Sequence, residues 1–198
     1  MKVISLFFLI TSYSVFSQQR YELSQKESII FWKSTNAAGF GGHEGTLLLK
    51  SGELWNDVKG KLSGGSFVID MNSITNTDIK QEKSQKELEE HLKSADFFDV
   101  VKFPLAVFKI VKIEATNNEN KYSVLGDFTL KGITNRIVFT AYINQENSNM
   151  KAKAGLTIYR SQWGITYKTK GLWDLNNLKN DYISEEIPIQ LNLVFRKI

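Results

Sequence analysis

Alternation of apolar and polar side chains dominates the chain after Tyr21. Ile30 and Trp32 alternate with Phe31 and Lys33, and Leu47 and Leu49 alternate with Thr46, Leu48 and Lys50. Phe67, Ile69 and Met71 share one face, as do Val124, Phe128 and Leu130, then Ile137, Phe139 and Ala141, then Ala154, Leu156 and Ile158. The most regular run is Ile187, Ile189, Leu191, Leu193 and Phe195. A period of two over such lengths marks half-buried antiparallel strands. Turn-forming residues separate the runs: Lys59-Gly60-Lys61, Gly64-Gly65, the asparagine-rich residues 117–120, and residues 145–149. Roughly eight strands spaced in this way predict an all-β fold, an antiparallel up-and-down eight-stranded barrel of lipocalin-like type with one or two short helices. Pro188 is expected near the start of its strand, where its missing N–H meets no ladder partner.

Two segments depart from the alternation. Ser84-Gln85-Lys86-Glu87 has the form of a capping box and precedes Leu88 and Leu92, which predicts a helix from Ser84 to about Lys93. Its leucine stripe should lie against a barrel end, with Lys86, Glu89, Glu90 and Lys93 in solvent; Phe97 and Phe98 follow at the same end. Residues 162–185 are long for a connection within one domain. Trp163, Tyr167, Trp173 and Tyr182 there predict a packed lid over the barrel mouth.

The N-terminus has a different pattern. Lys2, the apolar residues 3–13, and then Val15 and Ser17 follow the charged, apolar and small-residue order of a secretory signal peptide. The apolar run is well short of the ~20 residues that span a bilayer. The expected organisation is a signal peptide over residues 1–17 and one domain over residues 18–198, periplasmic or secreted, with no integral membrane segment after cleavage.

Composition removes most chemistry. There is no cysteine, which excludes disulfides, thiolate zinc sites, cysteine nucleophiles and lipid attachment to an N-terminal cysteine. Lys+Arg exceeds Asp+Glu by 25 to 21, a diffuse excess that gives no reason to expect nucleic acid. His43-Glu44-Gly45-Thr46-Leu47 lacks the second histidine of a zincin helix, and His91 is expected at the surface or as a cap. Gly64-Gly65-Ser66-Phe67-Val68 lacks the second glycine of a nucleophile elbow. The pairs Glu89/Glu90 and Glu185/Glu186 alternate in direction if extended and cannot grip one atom together. The expectation is a protein that is not an enzyme and requires neither metal nor cofactor.

Arg160, one of four arginines, follows Ile158 with the same parity and should point inward near the mouth. There it needs a carboxylate or a ligand oxygen, with Asp70, Asp96, Asp127 or Asp181 as structural partners to consider. The apolar faces themselves admit two interiors, a filled core or a hollow that holds an apolar ligand.

Three stretches bear on that choice. They are Gly64-Gly-Ser-Phe-Val-Ile-Asp-Met-Asn-Ser-Ile74, read as a strand ending in a polar turn; His91-Leu-Lys-Ser-Ala-Asp-Phe-Phe-Asp-Val-Val-Lys-Phe-Pro104, leading to Phe108; and Gly126-Asp-Phe-Thr-Leu-Lys-Gly-Ile-Thr134, followed by Ile158-Tyr-Arg-Ser-Gln-Trp-Gly164. With His43 and Gly45 they resemble the YceI-like lipid/polyisoprenoid-binding family over nearly the whole mature chain; Ala95 stands where that family often has proline, and Trp163 where it often has Phe or Tyr. The resemblance implies an elongated barrel with a helix at its side or end, around a tunnel for an isoprenoid chain. The function it implies is a carrier or sequestering protein for a polyprenyl lipid or an isoprenoid quinone, the only small molecule expected to be bound. The ligand-facing set on this reading is Trp32, Leu47, Leu49, Phe67, Ile69, Phe97, Phe98, Phe108, Phe128, Leu130, Phe139, Ala154, Leu156, Ile158, Arg160, Trp163, Trp173 and Leu191. The alternative is an exported barrel with a filled core that acts through its surface. Oligomeric state is left open, a dimer included.

Overall fold

The computed structural model describes residues 18–37, 39, 41–146, 148–168 and 182–198. Within them the strands run β1 (Arg20–Leu23), β2 (Ile29–Lys33), β3 (Glu44–Asn56), β4 (Leu62–Asn76), β5 (Leu105–Ala115), β6 (Lys121–Leu130), β7 (Ile133–Glu146), β8 (Asn149–Tyr159) and β9 (Glu186–Lys197). One helix, α1 (Glu82–Lys93), joins β4 to β5, and a 3-10 turn (Arg160–Trp163) follows β8.

All pairings are antiparallel, and each strand from β2 onward pairs with its neighbour in sequence. β9 then pairs with β2 and closes the sheet. β1 lies in line with β2, since it too pairs with both β3 and β9, but further along them. The expected up-and-down barrel is therefore present, with eight staves of which the first is broken in two. At the break the buried Ser28 hydroxyl takes the place of a ladder partner: it accepts from Val194 N and donates to Val194 O.

The regular alternation of β7, β8 and β9 puts the expected residues inside. Elsewhere bulges reset it. In β3 the inward set passes from Gly45, Leu47 and Leu49 to Gly52, Leu54 and Asn56, across a register shift between Leu49 and Ser51. In β5 it passes from Ala106, Phe108 and Ile110 to Ile113, and exposed Val111 is the extra residue. An added residue inverts every later side chain, so the bulge keeps both halves apolar inward.

Several local expectations are corrected. Gly64-Gly65 is no turn but lies within β4, because Trp55 and Leu54 cross over it; a Cβ on Gly64 would sit 2.5 Å from the Trp55 ring. The polar residues expected to form a turn at the end of that strand do not end it. It bulges there, with Asp70 and Ser73 holding the detour through Asn72 N, Asp70 O and Leu48 N, and resumes to Asn76. The Lys131-Gly132 turn between β6 and β7 was not anticipated; both residues have positive φ, at 49° and 76°. The helix begins at Glu82, so Ser84 is inside its first turn and donates to the Gln81 side chain rather than capping. As expected, Pro188 lies near the start of its strand: it is the third residue of β9, next to Ile189, which pairs with Trp32 near the end of β2.

Gly126 on β6 shows how tightly the wall is packed. The Phe108 ring lies against its Cα, and a Cβ there would come within 2.2 Å of that ring, whereas Gly155 on β8 opens to free space. Gly126→Ala should cost roughly 1–3 kcal/mol in a denaturant melt by displacing Phe108. Gly155→Ala should be neutral or slightly stabilising, by restricting the unfolded chain.

Candidate functional site

Buried side chains gather at both ends of the barrel, and a cavity lies between them. At the end away from the helix, Tyr21, Leu23, Met150 and Phe195 are buried, and Gln145 donates to the Tyr21 hydroxyl. At the other end α1 presents Leu88 and Leu92, backed by buried Phe97 and Phe98. Between these plugs Ile137, Phe139, Ala154, Leu156, Ile189 and Leu191 face inward yet are only half-buried. They surround a cavity of ≈ 300 Å³, at the lower end of the range for small-molecule pockets.

Its wall is almost wholly apolar and contains most of the expected set. β2 and β3 contribute Trp32, Leu47 and Leu49; β4 contributes Phe67 and Ile69; β5 contributes Phe108. Phe128, Leu130 and Phe139 come from β6 and β7, Ala154, Leu156 and Ile158 from β8, and Leu191 from β9. Phe97, Phe98 and Arg160 border the helix-bearing end. Phe108 stands between Phe67 and Phe139, with ring centroids 6.3 and 5.6 Å away. Among the described residues no carboxylate lines the cavity.

Trp163 is a correction. It is fully buried but does not line the cavity; its indole N–H donates to Phe128 O at 3.1 Å and its ring packs against Phe128 from the 3-10 turn. Trp173 and Asp181 lie outside the described residues, as does the expected signal peptide. Of the expected lid, residues 162–168 and 182–185 are described; Ile165 is fully buried, and Tyr182 and Ile183 line the cavity.

Arg160 points inward as expected and is fully buried, but none of the three described aspartates, Asp70, Asp96 and Asp127, holds it. Asp127 forms a cross-strand pair with Arg136 on the outer surface, Asp70 serves the β4 bulge, and Asp96 is exposed. The chain leaves β8 at Tyr159, so Arg160 sits in the turn, among the carbonyls of the segments it joins. Its guanidinium donates to Ile165 O, Tyr167 O, Ile183 O and Ser184 O at 2.9–3.0 Å, and the Glu185 carboxylate lies 3.8 Å away. Burial pulls its pKa down from the ordinary value, and Glu185 opposes that shift.

Sequence reasoning missed two polar features. Asn76, 1% exposed, ties β3, β4 and α1 together: its N–H donates to Glu89, its carbonyl accepts from Gln85, and its amide reaches Glu44 O and Asp78. Glu89, expected in solvent, is drawn inward by that N–H. His91, expected at the surface, is half-buried between the Phe97 and Tyr167 rings, with centroids 5.3 and 4.6 Å away, and borders the cavity. Its position three residues after Leu88 is the signal that could have found it.

At the same end His43 Nδ1 lies 3.0 Å from Asp78. Burial alone would raise the Asp78 pKa, but hydrogen bonds from Glu44 N, His43 and Asn76 outweigh it and hold the carboxyl below its ordinary value.

A family model described as the YceI-like domain matches residues 21–195. A UPF0312 protein of Pseudomonas putida strain W619 is 27% identical over 134 residues, which cover 67% of this chain and 65% of that relative, just under two thirds of its length. A UPF0312 protein of Vibrio vulnificus strain YJ016 is 30% identical over 93 residues, 42% of this chain and 49% of the relative. Among solved structures, Burkholderia cenocepacia BcnA has a similar fold with a TM-score of 0.67 at 22% identity, covering 87% of this chain and 98% of the other. A polyisoprenoid binding domain from Saccharophagus degradans gives 0.64 at 15% identity, covering 90% and 98%.

Arg160→Met would strip four carbonyls of their donor. Each buried acceptor left unpaired costs about 1–3 kcal/mol, reduced where the segment opens to water, so a net loss of ~2 kcal/mol or more is expected in denaturant melts. Amide exchange at Ile165 and Ile183 should quicken. For Asp78, a depressed native pKa means that its contribution is complete above the unfolded carboxylate value, ~3.9, and is lost as the pH falls through the native value. Melts from pH 6 down to about 2 should show that decline in the wild type and a flatter profile in Asp78→Ala.

Proposed function

The chain belongs to the YceI-like family, and on that footing we propose that it is a non-enzymatic binder of an isoprenoid-type lipid, a polyprenyl chain or an isoprenoid quinone, held inside the barrel as carrier or sequestered cargo. The observation that carries this reading is the ring of inward apolar side chains left half-covered around the cavity. A filled core would cover them. The polyisoprenoid binding domain of Saccharophagus degradans, with its similar fold, adds support.

The energetics suit a chain with little polarity. Burial contributes ~0.8 kcal/mol per carbon, or roughly 3–4 kcal/mol gross for each five-carbon unit. Ordering a flexible chain offsets part of this. Among the described residues the wall carries no carboxylate, which suits it to holding such a chain. The Lys2-to-Ser17 pattern supports export of the binder from the cytoplasm, which N-terminal sequencing of the secreted protein tests through a start at Gln18.

Organic extraction of protein purified from a lipid-replete host, followed by mass spectrometry, should yield a near-stoichiometric isoprenoid; its absence would overturn the carrier reading. Ala154, opposite Ala141 and Leu191, reports on the hollow itself. Ala154→Phe should leave the stability of lipid-free protein nearly unchanged and weaken long isoprenoids more than short ones. A loss of about 1–3 kcal/mol without chain-length dependence would mark a filled core.

A further inference from the structure

Two of the ladders between successive strands stop short of the strand ends. On its β6 side β7 is paired from Tyr142 back to Ile133, and on its β9 side β8 is paired from Asn149 out to Tyr159. Between β7 and β8 themselves the rungs run only from Glu146–Asn149 to Ala141–Ala154. Beyond that rung residues 136–140 and 155–159 are two strand edges, and among the described residues no hydrogen bond joins them or gives either edge another partner. The gap is framed. It begins above the Ala141–Ala154 rung and ends where the Asn135 side chain donates to Gln162 O at 2.8 Å, tying β7 to the 3-10 turn. Residues 155–159 of extended chain make it on the order of 15 Å long.

Its lips are apolar on both faces of the wall. Ile137 and Phe139 on β7 and Leu156 on β8 line the cavity and are only half-buried. Val138 and Tyr159 stand on the outer face of the same two edges, 68% and 46% exposed. Backbone groups without a ladder partner need water, so solvent reaches the gap, and its edges can part without breaking a rung. Parting the helix-bearing end would instead break the buried hydrogen bonds of Asn76 and Arg160 and leave polar groups unpaired. The other short ladder, between β4 and β5, stops at Ser66–Lys109. There Ile110 packs on Gly65, where a Cβ would come 3.0 Å from its Cδ1, and Asp57, Lys61, Lys112 and Glu114 stand around the opening. Charged groups hold water and disfavour the passage of a hydrocarbon.

We propose that the gap between β7 and β8 is a lateral portal through which the isoprenoid chain enters and leaves the cavity; this rests on the isoprenoid reading above. The chain passes sideways through the wall, from Val138 and Tyr159 outside to Ile137, Phe139 and Leu156 inside, and the polar networks of the helix-bearing end stay intact.

The sequence has no cysteine, so one introduced thiol can carry a polyethylene-glycol maleimide at a single place. Thr157→Cys and Val138→Cys put the label on the two lips, and Val111→Cys puts it beside the β4–β5 opening. The measurement is release of geranylgeraniol from loaded protein into excess phosphatidylcholine vesicles, together with its affinity at equilibrium. A label on either lip should slow release at least about tenfold and leave the affinity unchanged, because an obstructed passage slows loading and release alike. The label at Val111→Cys should leave the rate as it was. Retained affinity shows that a variant is folded, and should Thr157→Cys fail to fold, Val138→Cys reads the same gap from its other edge. Unchanged release with the lips labelled, slowing from Val111→Cys as great as from the lips, or weaker binding without slower release would each overturn the portal and leave the cavity reading standing. If unlabelled wild-type protein takes up no geranylgeraniol, the isoprenoid reading falls and the portal with it.

Discussion

A hollow barrel gives up the contacts that would fill its centre, so its integrity rests on how its ends are joined, and at the helix-bearing end that depends on Asn76. One buried side chain and its own backbone bind Glu44, Asp78, Gln85, Glu89 and Ile79. Helix, strand and turn are thereby held to one point. Arg160 does the corresponding work across the mouth, where the segments after β8 and before β9 bring carbonyls together with no ladder to satisfy them. Both residues are polar and fully paired, which is what makes their burial tolerable.

This division of labour explains why the interior can stay open. The plug away from the helix is ordinary packing, with Phe195, Met150 and Tyr21 in contact with the barrel wall. The helix-bearing end is joined by hydrogen bonds and packed by Phe97 and Phe98. Between them, the affinity of any guest would follow the apolar area that it covers.

Strands with unbroken alternation were legible from the sequence, and β9 is the clearest, with Ile187 through Phe195 inside as the pattern requires. Legibility fell where local geometry changes parity. β5 reads poorly because Val111 interrupts it, and Gly64-Gly65 resembles a turn although its glycines are there to let Trp55 and Leu54 lie flat on the strand. Most of the apolar lining followed from face assignment. The polar hubs did not, since parity places Arg160 inside but cannot say that carbonyls distant in sequence would meet it. Likewise, Asn76 carries no pattern of its own. Trp163 was misassigned because an aromatic on an irregular segment carries no inward or outward parity.

The bulges have a consequence for how such a chain tolerates change in length. In a regular hairpin, losing one residue from a loop is among the mildest of mutations. At Val111 the same loss would straighten the strand and leave Lys112 outside and Ile113 inside, whereas loss of Lys109 would turn one half of β5 inside out. Changes of length in descendants of this sequence are thus channelled to the hairpin tips and to the bulges, where one residue fewer leaves the rest of the strand on its proper face.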